Sequence, residues 1–296
     1  MNAKMMITSV HNERVKRLVA LQQKSQLRRE CGIVVVEGRR ELMHCVNAGH
    51  EVVAVYHCPE LTPDLPSLLT PHSSPLTPHP SPLTPDSSPL TPHPSPLTPD
   101  PSTLTPPCYE VTREVYEKIA YRGSTEGVLA EVRPHPLTLS DLHLPEHPLV
   151  MVLEAVEKPG NLGAVLRSAD AAPADAVVVC DPLTDLYNPN IIRSSIGAIF
   201  TVPCVACSSE ECIQYLKSHN IQILTAQLQD SHPYYATDMH RGTAIVMGTE
   251  STGLTQVWRD AADAHIRIPM RGRLDSLNVS VSAAILLFEA VRQREQ

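Results

Sequence analysis

The second half of the chain alternates short apolar runs with helical stretches, and this alternation constrains its fold more than any other feature. From Leu149 onward the apolar runs are LVMVLEAV, AVVVC, FTVPCV, IQILTA, TAIVMG and AHIRIP. Helical stretches between them include GAVLRSADAA, NIIRSSIGAI and ECIQYLKSHN. Continuous apolar strands separated by helices are typical of a parallel sheet that is covered on both faces. We therefore predict a doubly wound α/β domain over residues 149–296, with ligands bound at the carboxyl ends of its strands.

A smaller α/β domain is predicted in the first half, over residues 1–66 and 109–133. Its predicted helices cover 11–25, 37–50 and 112–120, and its predicted strands cover 32–36, 51–56 and 128–132. Residues 134–148 are polar and interrupted by prolines, which is typical of a linker between domains. We place the domain boundary there.

A proline-rich repeat separates the two parts of this small domain. Residues 67–108 form six seven-residue units, of which SPLTPHP and SPLTPDS are examples. Proline fixes φ and lacks the backbone N–H, so this density of prolines excludes both helix and sheet. We predict an extended, disordered insertion in a surface loop. His72, His79 and His93 recur within it, which leaves weak metal capture open.

Charge is unevenly distributed along the chain. The net charge of −8 argues against indiscriminate binding of nucleic acid, yet residues 1–40 contain nine Lys or Arg and three Glu. This basic segment is either a phosphate-binding surface or the solvated face of a helix. No run approaches the roughly 18 apolar residues of a membrane span, and the beginning of the sequence lacks a signal-peptide pattern. We expect a cytoplasmic protein without a membrane partner.

The eight cysteines do not form the spacing pattern of a disulfide framework. Cys204 and Cys207 form a C-x-x-C, which is half of a common zinc motif. No second pair of Cys or His residues accompanies it at ligand spacing. We therefore predict no metal site.

Three polar, glycine-containing loops follow predicted strands. The first, EKPGNLGAVLRSADAA, turns into a helix whose N-terminus can hold an anion. A strand ending in Asp181 follows about twenty residues later, so a Rossmann dinucleotide site and a nicotinamide-dependent oxidoreductase are an alternative. The glycine spacing, however, is only G-x-x-G. Arg167 is unusual in this loop, because an Arg in the first turns of an apolar helix is rarely a plain surface charge.

The other two loops are MGTESTGL and IPMRGRLDSLNVSVSAA. Helix capping explains one polar residue before the last helix, but it does not readily explain Asp275, Ser276 and Asn278 together. The carboxyl ends of parallel strands meet at one edge of a sheet, so all three loops should converge there. This convergence predicts a small-molecule pocket.

In sequence order, PGNLGAVLRSADA, GTESTGL and IPMRGRLDSLNVSVSAA resemble the three motifs of the TrmH/SpoU branch of the SPOUT superfamily. The resemblance covers residues 150–294, and the small domain resembles the family's substrate-binding domain more loosely. These proteins are RNA ribose 2′-O-methyltransferases that use S-adenosylmethionine. The resemblance therefore implies a C-terminal trefoil knot, which is a rare exception to unknotted connectivity. It also implies a homodimer and RNA as the partner.

The resemblance assigns a catalytic group and a cofactor group, and the basic segment supplies candidate RNA contacts. The catalytic group is Asn161, Arg167, Glu250, Ser276 and Asn278. The cofactor group is Thr225, Ala226, Gly248, Ile268 and Leu277. Candidate RNA phosphate contacts in the basic segment are Arg14, Lys16, Arg17, Arg28, Arg29 and Arg39.

The family's counterpart of Arg167 is proposed to activate the ribose hydroxyl. A guanidinium with a pKa above about 12 is a poor general base, so we expect Arg167 to clamp a phosphate and stabilise the developing alkoxide. Asn161, Ser276 and Asn278 would orient the ribose and the loops. Glu250 would hold the arginine or the loops in place. A catalytically silent RNA-binding homologue is the second alternative, and the choice between transfer RNA and ribosomal RNA stays open.

Overall fold

The computed structural model describes residues 5–63, 106–123 and 126–296, and these residues form two β-sheets. The predicted insertion over 67–108 lies outside the described residues except for its last three positions, and its three histidines lie outside them as well. Among the described helices none is long and apolar enough to cross a membrane. The division into domains at 134–148 stays a prediction.

The smaller sheet is mixed and lies in the first half of the chain. Its strands are β1 (Met5–Ile7), β2 (Val34–Glu37), β3 (Glu51–His57), β4 (Cys108–Val111) and β5 (Val128–Arg133), in the order β1-β4-β3-β5-β2. Strand β5 is antiparallel to both of its neighbours. The accompanying helices are α1 (Glu13–Gln23), α2 (Ser25–Cys31), α3 (Arg39–Asn47) and α4 (Arg113–Ile119). The helix predicted over 11–25 is α1, which ends before the extended backbone at Lys24, and a second helix, α2, begins at Ser25 and continues beyond the predicted range.

The larger sheet contains seven strands, and every described pairing in it is parallel. Its strands are β6 (Leu149–Glu154), β7 (Ala176–Cys180), β8 (Cys204–Cys207), β9 (Gln222–Ala226), β10 (His232–Pro233), β11 (Thr243–Met247) and β12 (Ala264–Arg267). The order is β10-β12-β9-β11-β6-β7-β8. The helices are α5 (Pro159–Ala171), α6 (Pro189–Ser194), α7 (Ala198–Thr201), α8 (Ser209–Ser218), α9 (Gln256–Ala261) and α10 (Val279–Arg294).

Both faces of this sheet are buried, as the apolar runs predict. In β6, Met151 packs in one core together with Leu166 of α5 and Leu286 of α10. Val152, one position along, packs in a separate core that contains Trp258 of α9. Successive side chains of a strand point to opposite faces, so α5 and α10 cover one face while α8 and α9 cover the other. The predicted doubly wound arrangement is confirmed.

Two predicted elements differ from the structure. The helix expected over NIIRSSIGAI is two short helices, α6 and α7, because the backbone turns left-handed at Ile196 and Gly197 (φ 55° and 82°). A Cβ at Gly197 would lie 3.1 Å from the backbone of Glu41 in α3, so the turn also permits close packing of the two parts of the chain. The run FTVPCV forms strand only from Cys204, since Phe200 belongs to α7.

The chain after β11 returns to the sheet between two strands that an earlier connection joins. Strand β12 pairs with β9 on one side and with β10 on the other, and β10 belongs to the connection from β9 to β11. The end of α10 contacts the same connection, where Arg294 Nε donates to the Met239 carbonyl at 2.9 Å. A C-terminal knot requires, in addition, that a late segment passes through an earlier loop. The knot itself stays a prediction.

A buried ion pair joins the two halves of the chain. Arg28 is 4% exposed, and its Nε donates to Asp185 Oδ2 at 2.7 Å. Its Nη1 donates to the carbonyls of Leu21 and Gln22 at 2.5 and 3.1 Å. The burial of Arg28 and these hydrogen bonds count against the prediction that it contacts RNA phosphate. Its charge holds α2 against the loop before α6.

Replacing Arg28 with Met should lower the free energy of unfolding by about 3 kcal/mol, since the change removes a buried charge and leaves the half-buried Asp185 carboxylate without its partner. The exposed neighbour Arg29 is the matched control. Arg29→Met should change the free energy of unfolding by less than about 0.5 kcal/mol. Urea denaturation of the full chain measures both. Equal, small losses for the two variants would show that the ion pair does not stabilise the fold.

Candidate functional site

The three polar loops converge on the carboxylate of Glu250. Its Oε1 accepts from Asn161 Nδ2 at 2.8 Å and from Asn278 Nδ2 at 3.0 Å. Its Oε2 pairs with the ammonium of Lys158. Asn278 Nδ2 also lies 3.1 Å from Asn161 Oδ1. Residues from the loops after β6, β11 and β12 therefore share one hydrogen-bond network, which we call the Glu250 network: Lys158, Asn161, Glu250 and Asn278.

Asn278 has two functions in this arrangement, one for each end of its amide. Its Oδ1 caps α10 by accepting from the backbone N–H and the hydroxyl of Ser280, at 3.0 and 2.6 Å. Its Nδ2 joins the Glu250 network. Ser276 makes a different contact, in which its hydroxyl donates to Asp275 Oδ1 at 3.2 Å. The polar residues before α10 thus do more than cap the helix.

Hydrogen bonds keep the Glu250 network charged. Donation from Lys158 and Asn161 lowers the pKa of the Glu250 carboxyl below its ordinary value. The same contact with Glu250 raises the pKa of Lys158. Both groups therefore carry their charges at neutral pH, and the carboxylate can hold three loops together. Sequence reasoning missed Lys158, although its position directly before Pro159 at the start of α5 is a signal that it lies at the loop.

The turn after β11 brings its two ends into backbone contact. Thr249 and Gly253 exchange hydrogen bonds of 3.3 and 3.1 Å between their N–H and carbonyl groups. A Cβ at Gly248 would lie 2.3 Å from the carbonyl carbon and oxygen of Gly253. Atoms do not approach so closely, so only glycine fits at position 248. The carbonyls and N–H groups of this turn are thereby presented at the edge of the sheet.

A cavity of about 640 Å³ lies beside the Glu250 network, between the ends of β9, β11 and β12 and the segment 268–278. Seven of the predicted site residues line it: Ala226, Gly248, Glu250, Ile268, Ser276, Leu277 and Asn278. A smaller cavity of about 120 Å³ adjoins Glu250 and is lined by Lys158 and Asn161. The larger volume lies within the range of small-molecule sites, roughly 300–1,000 Å³.

The lining of the larger cavity is both polar and apolar. Gln227 Oε1 and Arg259 Nε are buried and have no hydrogen-bond partner among the described residues. Leu228 and Leu277 are 55% and 42% exposed at the same cavity. Buried polar atoms are normally hydrogen-bonded, and exposed leucines at a cavity present apolar surface to a ligand. The lining therefore fits a ligand that carries both hydrogen-bonding groups and an apolar ring.

Two predicted site residues line neither cavity. Thr225 is fully buried, and its Oγ1 lies 2.6 Å from His265 Nδ1. Arg167 lies on the exposed face of α5 and makes no hydrogen bond or ion pair within the described part of the chain. Within one chain, the structure thus brings Asn161, Glu250 and Asn278 into direct contact and leaves Arg167 outside.

The predicted RNA contacts on the first two helices have different surroundings. Arg14 lies over the ring of Tyr109, 4.5 Å from its centroid. Lys16 pairs with Glu13 at 2.7 Å, and Arg17 lies 3.5 Å from Glu131. The exposed positions among these predicted contacts are Arg14, Lys16, Arg17 and Arg29, while Arg39 is half-buried. Arg28 is buried, and the predicted RNA contacts at the other five positions stay predictions.

Comparison with known proteins gives two family matches. The profile of the SpoU rRNA methylase family matches residues 148–288, and that of the MRM3-like substrate binding domain matches residues 12–77. The 23S rRNA (guanosine-2′-O-)-methyltransferase RlmB of Vibrio vulnificus (strain CMCP6) is 37% identical over 191 residues, which are 62% of this chain and 77% of the relative. The 23S rRNA (guanosine(2553)-2′-O)-methyltransferase RlmP of Bacillus subtilis (strain 168) is 34% identical over 186 residues, 61% of this chain and 71% of the relative.

Solved structures share the whole architecture. A crystal structure of an RNA 2′-O ribose methyltransferase has a TM-score of 0.78 and 34% identity, over 99% of this chain and 100% of that one. An AdoMet-bound rRNA methyltransferase from Sinorhizobium meliloti has a TM-score of 0.78 over 97% of both chains, and its 24% identity supports the fold alone. The predicted family and the predicted class of enzyme, an RNA 2′-O-methyltransferase, are confirmed: the chain belongs to the SpoU rRNA methylase family.

Proposed function

We propose that the chain transfers a methyl group from S-adenosylmethionine to a ribose 2′-oxygen of ribosomal RNA. The observation that carries this proposal is the Glu250 network beside a cavity lined by the family's three motifs. Ribosomal RNA is favoured over transfer RNA because the two named relatives methylate guanosine in 23S rRNA. The nicotinamide alternative has no support from these relatives.

The atoms that line the cavity suit the cofactor. Gln227 Oε1 and Arg259 Nε would hydrogen-bond its polar groups, and Leu228 and Leu277 would cover its adenine ring. Backbone groups near Gly248 and Ile268 supply further donors and acceptors. When bound, S-adenosylmethionine supplies an electrophilic methyl group on its sulfonium.

The chain's own residues position the ribose and stabilise the negative charge that develops on its 2′-oxygen. The Glu250 network fixes Asn161 and Asn278, so their loops need not reorganise during the reaction. Loss of the 2′-hydroxyl proton leaves negative charge on oxygen. Arg167 would stabilise this charge and hold the adjacent phosphate through its two-pronged guanidinium.

Arg167 lies outside the cavity of its own chain. In a dimer, Arg167 of one copy would lie at the cavity of the other copy. Helix α10 exposes Val281 and Phe288, at 47% and 49%, and Ile285 lies between them on the same helical face. Helices α5 and α10 pack against each other, so this apolar stripe and Arg167 belong to one helical layer. We propose that the stripe is the contact surface of a homodimer whose partner receives Arg167.

Methyl transfer from isotopically labelled cofactor into purified ribosomal and transfer RNA tests the activity. Nuclease digestion should place the label on ribose, and ribosomal RNA should be the better acceptor. An RNA complex without any transfer would instead favour the catalytically silent homologue.

Gly248→Ala should weaken cofactor binding about 10- to 100-fold, because the added methyl group overpacks the turn against Gly253. Gly272 lies in the third motif, and a Cβ added there would meet no atom within 4 Å, so Gly272→Ala is the matched control and should bind normally. Titration calorimetry with S-adenosylmethionine measures both variants. Normal binding by Gly248→Ala would place the cofactor elsewhere.

Arg167→Ala should reduce kcat for methyl transfer by about 10² to 10³ while cofactor affinity is unchanged, since Arg167 does not line the cavity. Arg167→Lys keeps the charge but loses the two-pronged geometry, and its kcat should fall by at least about tenfold. Single-turnover kinetics and calorimetry separate the two quantities. A fully active lysine variant would contradict the proposed clamp.

Phe288→Lys should convert the dimer to a monomer and abolish methyl transfer, because a charge would be buried in the apolar contact. Val257→Lys, on the opposite face of the sheet at an exposed apolar position of α9, is the control. Light scattering after size-exclusion chromatography gives the mass, and an active monomer would refute the shared site.

A further inference from the structure

Three cysteine thiols meet at the carboxyl edge of the parallel sheet, outside both cavities described above. Cys180 ends β7, Cys207 ends β8 and Cys212 lies in the first turns of α8. Their sulfur atoms all lie within 4.8 Å of one another. Cys180 and Cys212 are buried, whereas Cys207 is half-buried. We call these residues the thiol cluster.

The fold fixes each member of the thiol cluster independently. Cys180 and Cys207 are direct neighbours in the parallel register of β7 and β8. A capping box at the start of α8, formed by Ser208 and Glu211, sets the position of the turn that carries Cys212. Ser209 also donates its hydroxyl to Asp181 Oδ2 at 2.6 Å, which ties α8 to the end of β7. Three sulfurs are thus held together by structure that does not depend on the thiols.

We propose that the thiol cluster binds Zn²⁺ through three thiolates. A Zn–S distance of about 2.3 Å in tetrahedral geometry places bound sulfurs about 3.8 Å apart. The observed separations of up to 4.8 Å reach this value by small side-chain rotations. Each thiol would release its proton to solvent as the metal binds. The half-buried side of Cys207 gives the ion access and leaves its fourth position for water.

Two carboxylates beside the thiol cluster favour a bound cation over thiolates without a metal. The carboxylates of Asp181 and Glu211 lie close enough to Cys207 to act on it electrostatically. Both carboxylates are held in place, Asp181 by Ser209 and Glu211 by Ser208. Their negative charge opposes additional thiolates, and a divalent cation removes this repulsion. Thiolate ligands also select soft ions such as zinc over magnesium or calcium.

The C-x-x-C pair does not form this cluster. Residues three apart in a strand point to opposite faces, so Cys204 packs in the core under α5 while Cys207 points toward α8. Cys204 is therefore an internal comparison: a buried cysteine of the same strand that has the ordinary packing role of an apolar residue.

The test is metal binding to the full chain, reduced and stripped with a chelator. Cd²⁺ titration followed by thiolate charge-transfer absorption counts sulfur ligands, and competition with a chromogenic chelator gives the Zn²⁺ affinity. The wild-type protein and Cys204→Ser should each bind about one ion, while Cys207→Ser and Cys212→Ser should lose at least about 100-fold in affinity. A wild-type protein that takes up no ion, or an equal loss in Cys204→Ser, would overturn the proposal.

A second measurement needs no variant and is independent of folding defects. Stoichiometric Zn²⁺ should slow the alkylation of Cys207 in the wild-type chain at least about tenfold, since metal-bound thiolate is protected. Cys31 and Cys108 are also half-buried and should react at unchanged rates. An unaffected rate at Cys207 contradicts metal binding. Cofactor titration serves as a check that the stripped chain is folded, because no member of the thiol cluster lines the larger cavity.

Discussion

The carboxylate of Glu250 connects three loops that are far apart in sequence, and the geometry of the site depends on this connection. It accepts from side chains on the loops after β6 and β12 while itself lying after β11. The ion pair with Lys158 lowers its pKa, so the acceptor stays ionised under neutral conditions. Because folding lowers the pKa of this carboxyl group, its contribution to stability is fully present above the ordinary pKa and is lost as the pH falls from there through the lowered value. Glu250 and Asn278 of this network line the larger cavity.

Much of this site follows from the sequence because parallel strands place their carboxyl ends at one edge. That rule brings Asn161, Glu250 and Asn278 together from three separate motifs, and the structure places them in direct contact. The apolar runs likewise predict the buried strands, since a strand covered on both faces needs apolar residues at successive positions. Irregular backbone is harder to predict. The left-handed turn at Ile196 and Gly197 is one case, and its close approach to α3 at Gly197 is a tertiary contact that no local pattern contains.

Charge and cysteine patterns predict less, because their meaning depends on burial. Arg28 and Arg29 are adjacent and chemically identical, yet one forms a buried ion pair with Asp185 and the other is exposed. The partners of Arg28, which are Asp185 and the carbonyls of Leu21 and Gln22, are tertiary contacts that charge alone does not predict. In the same way, Cys204 and Cys207 form a motif in the sequence but point to opposite faces of β8. The partners of Cys207 come from β7 and α8, and the register that aligns them is a tertiary property.

The carboxyl edge of the sheet thus carries two separate groups of polar side chains. The Glu250 network lies where β6, β11 and β12 end, and the thiol cluster lies where β7 and β8 end. Strand β6 borders both, since Glu154 at its end is aligned with Cys180 and accepts from the backbone and hydroxyl of Thr255, just after the Glu250 turn. The buried Glu154 carboxylate and its donors therefore connect the end of β7, which carries Cys180, to the turn that carries Glu250. Metal binding at the thiol cluster would therefore stabilise the carboxyl edge of the sheet, from which the cofactor loops extend. It would contribute no atom to the larger cavity.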